Sequence, residues 1–119
     1  VTAQGVTQIE VFTEGALALP RLPYTRIKHY DLTKPDQVQK ELPALRAKDE
    51  RSATTEARRW IESSAGQAFA ERMRSAYDGH MKAMHYGLEK TPAIVFDRGE
   101  YVVYGSTTIR RALLLYRQQ

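Results

Sequence analysis

The sequence contains no cysteine. That excludes disulfides, thiolate nucleophiles and cysteine-based zinc sites. It also has no apolar run near the roughly 20 residues that span a bilayer. No basic start followed by an apolar core marks a secretory signal peptide. The beginning, Val1-Thr-Ala-Gln-Gly5, is small and polar, and reads equally as a cytosolic start region or a trimmed mature terminus. Charge of one sign is lacking too. The net charge of +4 comes from 18 basic and 14 acidic side chains, so the balance is mixed. Nucleic-acid binders usually concentrate basic residues on one face, and direct nucleic-acid binding is not expected.

What is present is globular. Hydrophobic residues make up 42% and charged residues 27% of 119, enough for one ordinary domain spanning 1–119. Thr7-Gln-Ile-Glu-Val-Phe-Thr13 alternates, with Ile9 and Val11 on one side and Phe12 on the other, and predicts a strand. Gly15, Pro20 and Pro23 then make a long helix unfavourable. Tyr24 to Tyr30 predicts a second strand with Tyr24, Ile27 and Tyr30 as its heavier apolar members.

Thr33 and Pro35 predict a helix start. Val38, Leu42 and Leu45 would share one face of that helix, and Pro43 would end it. Residues 46–52 are charged and polar, an expected connection. A helical block follows, with Ala53, Ala57, Trp60, Ile61 and Ser64 on a stripe. Ser63-Ser-Ala-Gly66 can interrupt it. Phe69, Met73, Ala76, Tyr77, His80 and Met84 continue the period, and Gly87 is placed to stop it. The stripe is expected to be core, with Trp60, Phe69, Met73, Tyr77 and Met84 mostly buried.

Ala93-Ile-Val-Phe96 is a continuous apolar run, as expected of a strand covered on both faces. Asp97-Arg-Gly-Glu100 predicts a hairpin turn, and Tyr101-Val-Val-Tyr104 returns. Ser106 is placed to cap a last helix whose buried face is Ile109, Ala112, Leu113 and Tyr116. The order is strand, loop, strand, helices, strand, strand, helix.

That order resembles a thioredoxin fold with a shrunken first helix and a helical insertion over about residues 33–86. More closely, the chain resembles a family of thioredoxin-like proteins encoded with integrating conjugative elements. The residues that carry the resemblance are Ala76-Tyr77, Gly87, Lys90-Thr-Pro-Ala-Ile-Val-Phe-Asp97 and Tyr101-Val-Val-Tyr-Gly105, with the Ile9–Thr13 strand and the Leu42-Pro43 break. The fold class it implies is α/β, thioredoxin-like. A central four-stranded mixed sheet would carry the enlarged helical insertion ahead of a cis-proline strand. The first two strands would be parallel, the last two an antiparallel hairpin, and the Thr91–Pro92 bond cis. The resemblance also implies a periplasmic, exported protein, whose precursor signal peptide these residues do not contain. It implies a protein partner in a conjugative DNA-transfer, type IV secretion-like apparatus.

The candidate partner-binding residues follow from that fold. Thr91, before Pro92, would offer its backbone to an extended peptide, or else Pro92 only sets a turn into the strand. Thr13, Glu14 and Gly15 occupy the place where redox-active relatives carry their cysteines. A hydroxyl cannot replace a thiolate in disulfide exchange, and the sequence shows no base beside Thr13. His80 and His85 lie five apart, off one helix face, and no carboxylate joins them, so neither metal nor cofactor is expected. The basic residues of the helical block interleave with acidic ones, as on a solvated face. Arg110, Arg111 and Arg117 are less balanced, and would suit helix-dipole chemistry, an acidic partner or anionic lipid. The expected function is a non-catalytic interaction module. Its alternatives are an enzyme or chaperone with non-thiol chemistry and a nucleic-acid-binding accessory domain.

Overall fold

Gln8–Thr13 forms β1, and its side chains from Ile9 to Thr13 are all buried. Alternation sends Ile9 and Val11 to one face of the sheet and Glu10 and Phe12 to the other. The structure, a computed structural model, describes residues 5–119, and the small polar start Val1-Thr-Ala-Gln4 lies outside them. Four strands make one mixed sheet in the order β2-β1-β3-β4. β2 (Arg26–Asp31) runs parallel to β1, from Gln8↔Arg26 to Thr13↔Asp31. β3 (Ala93–Phe96) runs antiparallel to β1, and β4 (Tyr101–Tyr104) antiparallel to β3. The connection from β1 to β2 contains no helix, as its glycine and prolines dictate.

The chain divides into two compact units. One comprises the residues up to Thr33 together with Asp78–Gln119, and the other is Lys34–Tyr77. In the sheet unit, α5 (Ile109–Arg117) covers one face. Its Ile109, Ala112, Leu113 and Tyr116 are all buried, as the spacing predicts. The Tyr116 ring stacks on Phe96 at 4.8 Å and on Tyr101 at 5.4 Å. On the other face Phe12 stacks on Tyr30 at 4.9 Å and meets the edge of Tyr86 at 6.3 Å. α4 (Asp78–His85) approaches this face through Gly79. A Cβ there would stand 2.9 Å from Tyr30 Cβ, so only glycine permits the approach. Gly87 closes α4 at φ 64, with Gly87 N–H on Met84 C=O and Leu88 N–H on Ala83 C=O. These are the paired bonds of a Schellman end.

The helical unit holds α1 (Lys34–Gln39), α2 (Glu50–Glu62) and α3 (Ser64–Ala76). Asp49 caps α2 by accepting from Ser52 N at 2.7 Å. Ser63 ends α2 and caps α3 by accepting from Gly66 N at 3.1 Å. At Gly66 any Cβ would lie 2.0 Å from Trp60 O, so the α2–α3 corner demands glycine.

Several sequence expectations are corrected. Tyr24 is fully exposed at φ 63 and precedes β2, because the turn bonded by Thr25 N–H to Leu22 C=O occupies that place. α1 stops at Gln39, since three-residue turns at Glu41 and Leu42 replace helical bonds ahead of Pro43. Leu42 and Leu45 are therefore exposed. The expected connection over 46–52 already contains the start of α2. The stripe from Phe69 to Met84 is broken at Tyr77, where Gly79 holds the next helix against Tyr30. Ser106 does not cap α5. Its hydroxyl accepts from Thr108 N two residues on, and the helix begins at Ile109.

The apolar stripe is also not a closed core. Trp60, Phe69 and Met73 are half-buried, while Tyr77 is 48% and Met84 76% exposed. Trp60 and Phe69 pack on each other at 5.4 Å. A segment as short as Lys34–Tyr77 has too little surface to enclose them.

Asp97 ties the sheet unit together. Its Oδ1 accepts from Thr7 N at 2.9 Å, Thr7 Oγ1 at 3.1 Å and Gln8 N at 3.1 Å. Its Oδ2 accepts from Tyr116 at 2.9 Å. Burial pushes the carboxyl pKa up, but these donors outweigh it and hold it below the ordinary value. Burial first, then Asp97 and Glu100, raises the Tyr116 phenol.

Phe96→Ala is expected to cost about 3–5 kcal/mol in urea unfolding, whereas Met84→Ala should stay within about 0.5 kcal/mol. Equal effects would contradict the core described. Asp97→Asn should cost on the order of 1–3 kcal/mol at neutral pH. Because folding lowers the Asp97 pKa, its contribution is full above about pH 4 and is lost as pH falls through the folded value. Unfolding midpoints from pH 7 down to 2 should show wild type and Asp97→Asn converging on the acid side. Convergence toward alkaline pH would mean that folding raises the Asp97 pKa instead.

Candidate functional site

The sequence-nominated residues gather at one end of the sheet. The β1–β3 pairs run from Ile9↔Phe96 to Phe12↔Ala93. The last pair, Phe12↔Ala93, puts the end of β1 at Thr13 and the start of β3 just after Pro92 at the same end of the sheet. The parallel register brings the end of β2, Asp31, alongside Thr13. Thr13 is buried, Gly15, Thr91 and Pro92 are half-buried, and Glu14 is exposed.

The Thr91–Pro92 peptide is cis. Pro92 O accepts from Gly105 N at 2.8 Å, which fastens the loop to the end of β4. Tyr104 braces the approach, taking Glu89 N on its hydroxyl at 3.3 Å and lying 5.6 Å under the Lys90 ammonium. Thr91 itself stays unpaired. Its N–H and C=O have no hydrogen-bond partner among the described residues.

On the opposite lip, Thr13, Gly15 and Asp31 are bonded. Gly15, at φ 133, donates its N–H to Asp31 Oδ1 at 3.0 Å. The same oxygen takes Thr33 N at 2.9 Å and Thr33 Oγ1 at 2.6 Å. Thr33 thus stands at the head of α1 with its hydroxyl donated to Asp31.

Thr13 has a neighbour that the sequence did not reveal. Its Oγ1 lies 2.6 Å from His29 Nε2 and 2.7 Å from Gly15 O. A carbonyl oxygen only accepts, so Thr13 gives its single hydroxyl proton to Gly15. His29 Nε2 must then donate to Thr13. In this arrangement the imidazole braces the hydroxyl and does not draw its proton. The other two histidines are apart from it. His80 Nε2 bonds Leu32 O at 2.9 Å, and His85 lies against Tyr86. Among the described residues no three of His, Asp and Glu stand close enough to hold a metal ion.

A second polar group lies under the other face. Glu10 is 0% exposed, Tyr86 donates to its Oε1, and its Oε2 has no partner among the described residues. Burial first, and then the Glu10 contact, pushes the Tyr86 phenol up to about 12. Tyr30 is raised likewise, by burial and then by the Glu10 charge. The one sequence signal for this group was a carboxylate inside an otherwise apolar strand.

No curated protein and no solved structure matches the chain. The model of a family described as "Protein of unknown function (DUF1525)" matches residues 6–119, and the chain belongs to that family.

Proposed function

We propose that this chain is a non-catalytic, thioredoxin-like interaction component of a conjugative DNA-transfer apparatus. An extended segment of a partner protein pairs with the backbone of Thr91. Pro92, Thr13, Glu14 and Gly15 shape the lips of the docking place. The observation that carries the reading is the unpaired N–H and C=O of Thr91 at a sheet end where Thr13, Gly15 and Asp31 bond one another. An extended segment satisfies both groups, and strand addition draws its affinity from such bonds. The strand order and pairing senses support a thioredoxin-like topology. The conjugative setting and a periplasmic location rest on the resemblance of Lys90–Asp97 and Tyr101–Gly105.

The Thr13–His29 contact favours a second reading, a hydroxyl nucleophile with an imidazole base. It ranks lower because Thr13 is buried and its proton goes to Gly15 O. Turning Thr13 toward His29 would strand that carbonyl.

Conjugation frequency separates the readings. Thr91→Glu is expected to lower transfer about tenfold or more, equivalent to 1.4 kcal/mol or more of lost binding, with the thermal midpoint unchanged. The charge would have to be desolvated as the partner strand approaches. Thr13→Val and His29→Ala should lower stability by about 1 kcal/mol through lost bonds while the folded fraction still transfers DNA. An unaffected Thr91→Glu leaves the proline loop as scaffold. Loss of transfer in well-folded Thr13→Val and His29→Ala moves the function to chemistry at that pair.

A further inference from the structure

The outward face of α5 plays no part in the proposal above. Its buried side is the row Ile109, Ala112, Leu113 and Tyr116. At 100° per residue the remaining side chains fall within an arc of about 160°. Around that arc the order is Arg117, Arg110, Leu114, Gln118, Arg111 and Leu115, so Leu114 lies among the arginines and Leu115 at the edge beside Arg111. All are exposed, Leu114 at 57% and Leu115 at 40%.

Three facts about this face belong together. The helix carries three arginines and no acidic residue. None of the three makes an ion pair or a hydrogen bond to another side chain among the described residues. The leucines beside them are exposed although the same helix buries four other positions completely or nearly so. By contrast, Arg58 and Arg59 on α2 alternate with Glu56 and Glu62, so the exposed Ile61 beside them stands amid mixed charge.

We propose that this face of α5 docks on an anionic phospholipid surface. Guanidinium groups pair with phosphate through two parallel hydrogen bonds, and arginine is the only cation this helix uses. The long arginine stems lie along an apolar boundary while their heads stay among the headgroups. Leu114 and Leu115 enter the boundary beside them, as on an interfacial helix. A nucleic acid offers the same phosphodiester charge but leaves both leucines in water, so the leucines favour lipid. The contact is reversible and peripheral, because two leucines and three charges fall well short of permanent anchoring.

The test is flotation of the whole chain with phosphatidylcholine vesicles, with and without about a third phosphatidylglycerol. Binding should require the anionic lipid and weaken in high salt, which shortens the range of the charges. Single Arg110→Gln, Arg111→Gln and Arg117→Gln changes should each reduce partitioning about fivefold. Leu114→Ser with Leu115→Ser should reduce it further without altering net charge. The double variant Arg58→Gln, Arg59→Gln should stay within about twofold of wild type. All these positions are exposed, and unchanged thermal midpoints verify folding. Three results overturn the proposal. One is equal binding, or none, with both vesicle types. Another is an equal loss in the α2 control, which would make the attraction one of overall charge. The third is an unaffected leucine variant together with equally tight binding of duplex DNA, which would assign the face to phosphate alone.

Discussion

Everything in the sheet unit depends on the burial of β1. With β3 it is one of the two strands with neighbours on both edges and cover on both faces, and Ile9 to Thr13 have almost no contact with solvent. An apolar strand there would only have to pack. This one carries Glu10 and Thr13 into the same environment, and buried polar groups demand partners. Tyr86 supplies one for Glu10 from the last turn beyond α4. His29 and the Gly15 carbonyl supply them for Thr13. The ends of β2 and α4 are thus fixed by polar bonds to β1 as well as by packing. Glu10 Oε2 is the exception, an acceptor atom left without a partner among the described residues.

Asp97 performs the corresponding task at the other end of the sheet. It lies in the left-handed region at φ 47, followed by Arg98 at φ 62, a conformation unfavourable for both residues. The carboxylate's bonds to the start of β1 and to Tyr116 of α5 offset that cost. The Tyr116 ring stacked on Phe96 completes the attachment of α5. With its inner face so occupied, α5 presents the arginines and leucines outward on a rigid element. The helical unit has no comparable centre. α2 buries no residue, and its partner α3 buries only Gly66 and Ala76. The ion pairs Arg72–Glu41 and Arg74–Glu71 are about half exposed or more, and such pairs contribute little. Glycine at the α2–α3 corner and the Trp60–Phe69 contact are what specify that pair.

Local signals were legible in the sequence. The runs Ala93–Phe96 and Tyr101–Tyr104, the Gly87 helix stop and the α5 stripe are short-range patterns, and the structure follows them to the residue. That the ends of β1 and β2 and the start of β3 share one end of the sheet followed from strand order. What stayed hidden depends on register across distant segments. His29 reaches Thr13 because parallel pairing sets it beside Val11, one pair back on the same face. Tyr86 reaches Glu10 across 76 residues of chain. Periodicity also misled where one stripe served two helices. The heptad-like spacing from Phe69 to Met84 continues through Tyr77, but the backbone does not, because Gly79 must lie against Tyr30. A stripe records which residues are apolar and carries no information on whether enough chain surrounds them to bury them.

The contrast between the two lips of the candidate site bears on recognition against chemistry. A catalytic hydroxyl needs a base free to take its proton and a place for the reacting atom. Here Thr13, Gly15, Asp31 and Thr33 bond one another, and the imidazole acts as a donor. Such a closed set holds a shape and has little left to offer a reactant. Across from it, Thr91 presents one donor and one acceptor with nothing on them among the described residues. Backbone groups of that kind distinguish no side chain, so any selectivity must come from the rigid surroundings. Those surroundings include the Pro92 ring and the Tyr104–Lys90 brace. Fixed lips around an open backbone pair favour an extended guest held by its main chain and sorted by the charge beside it.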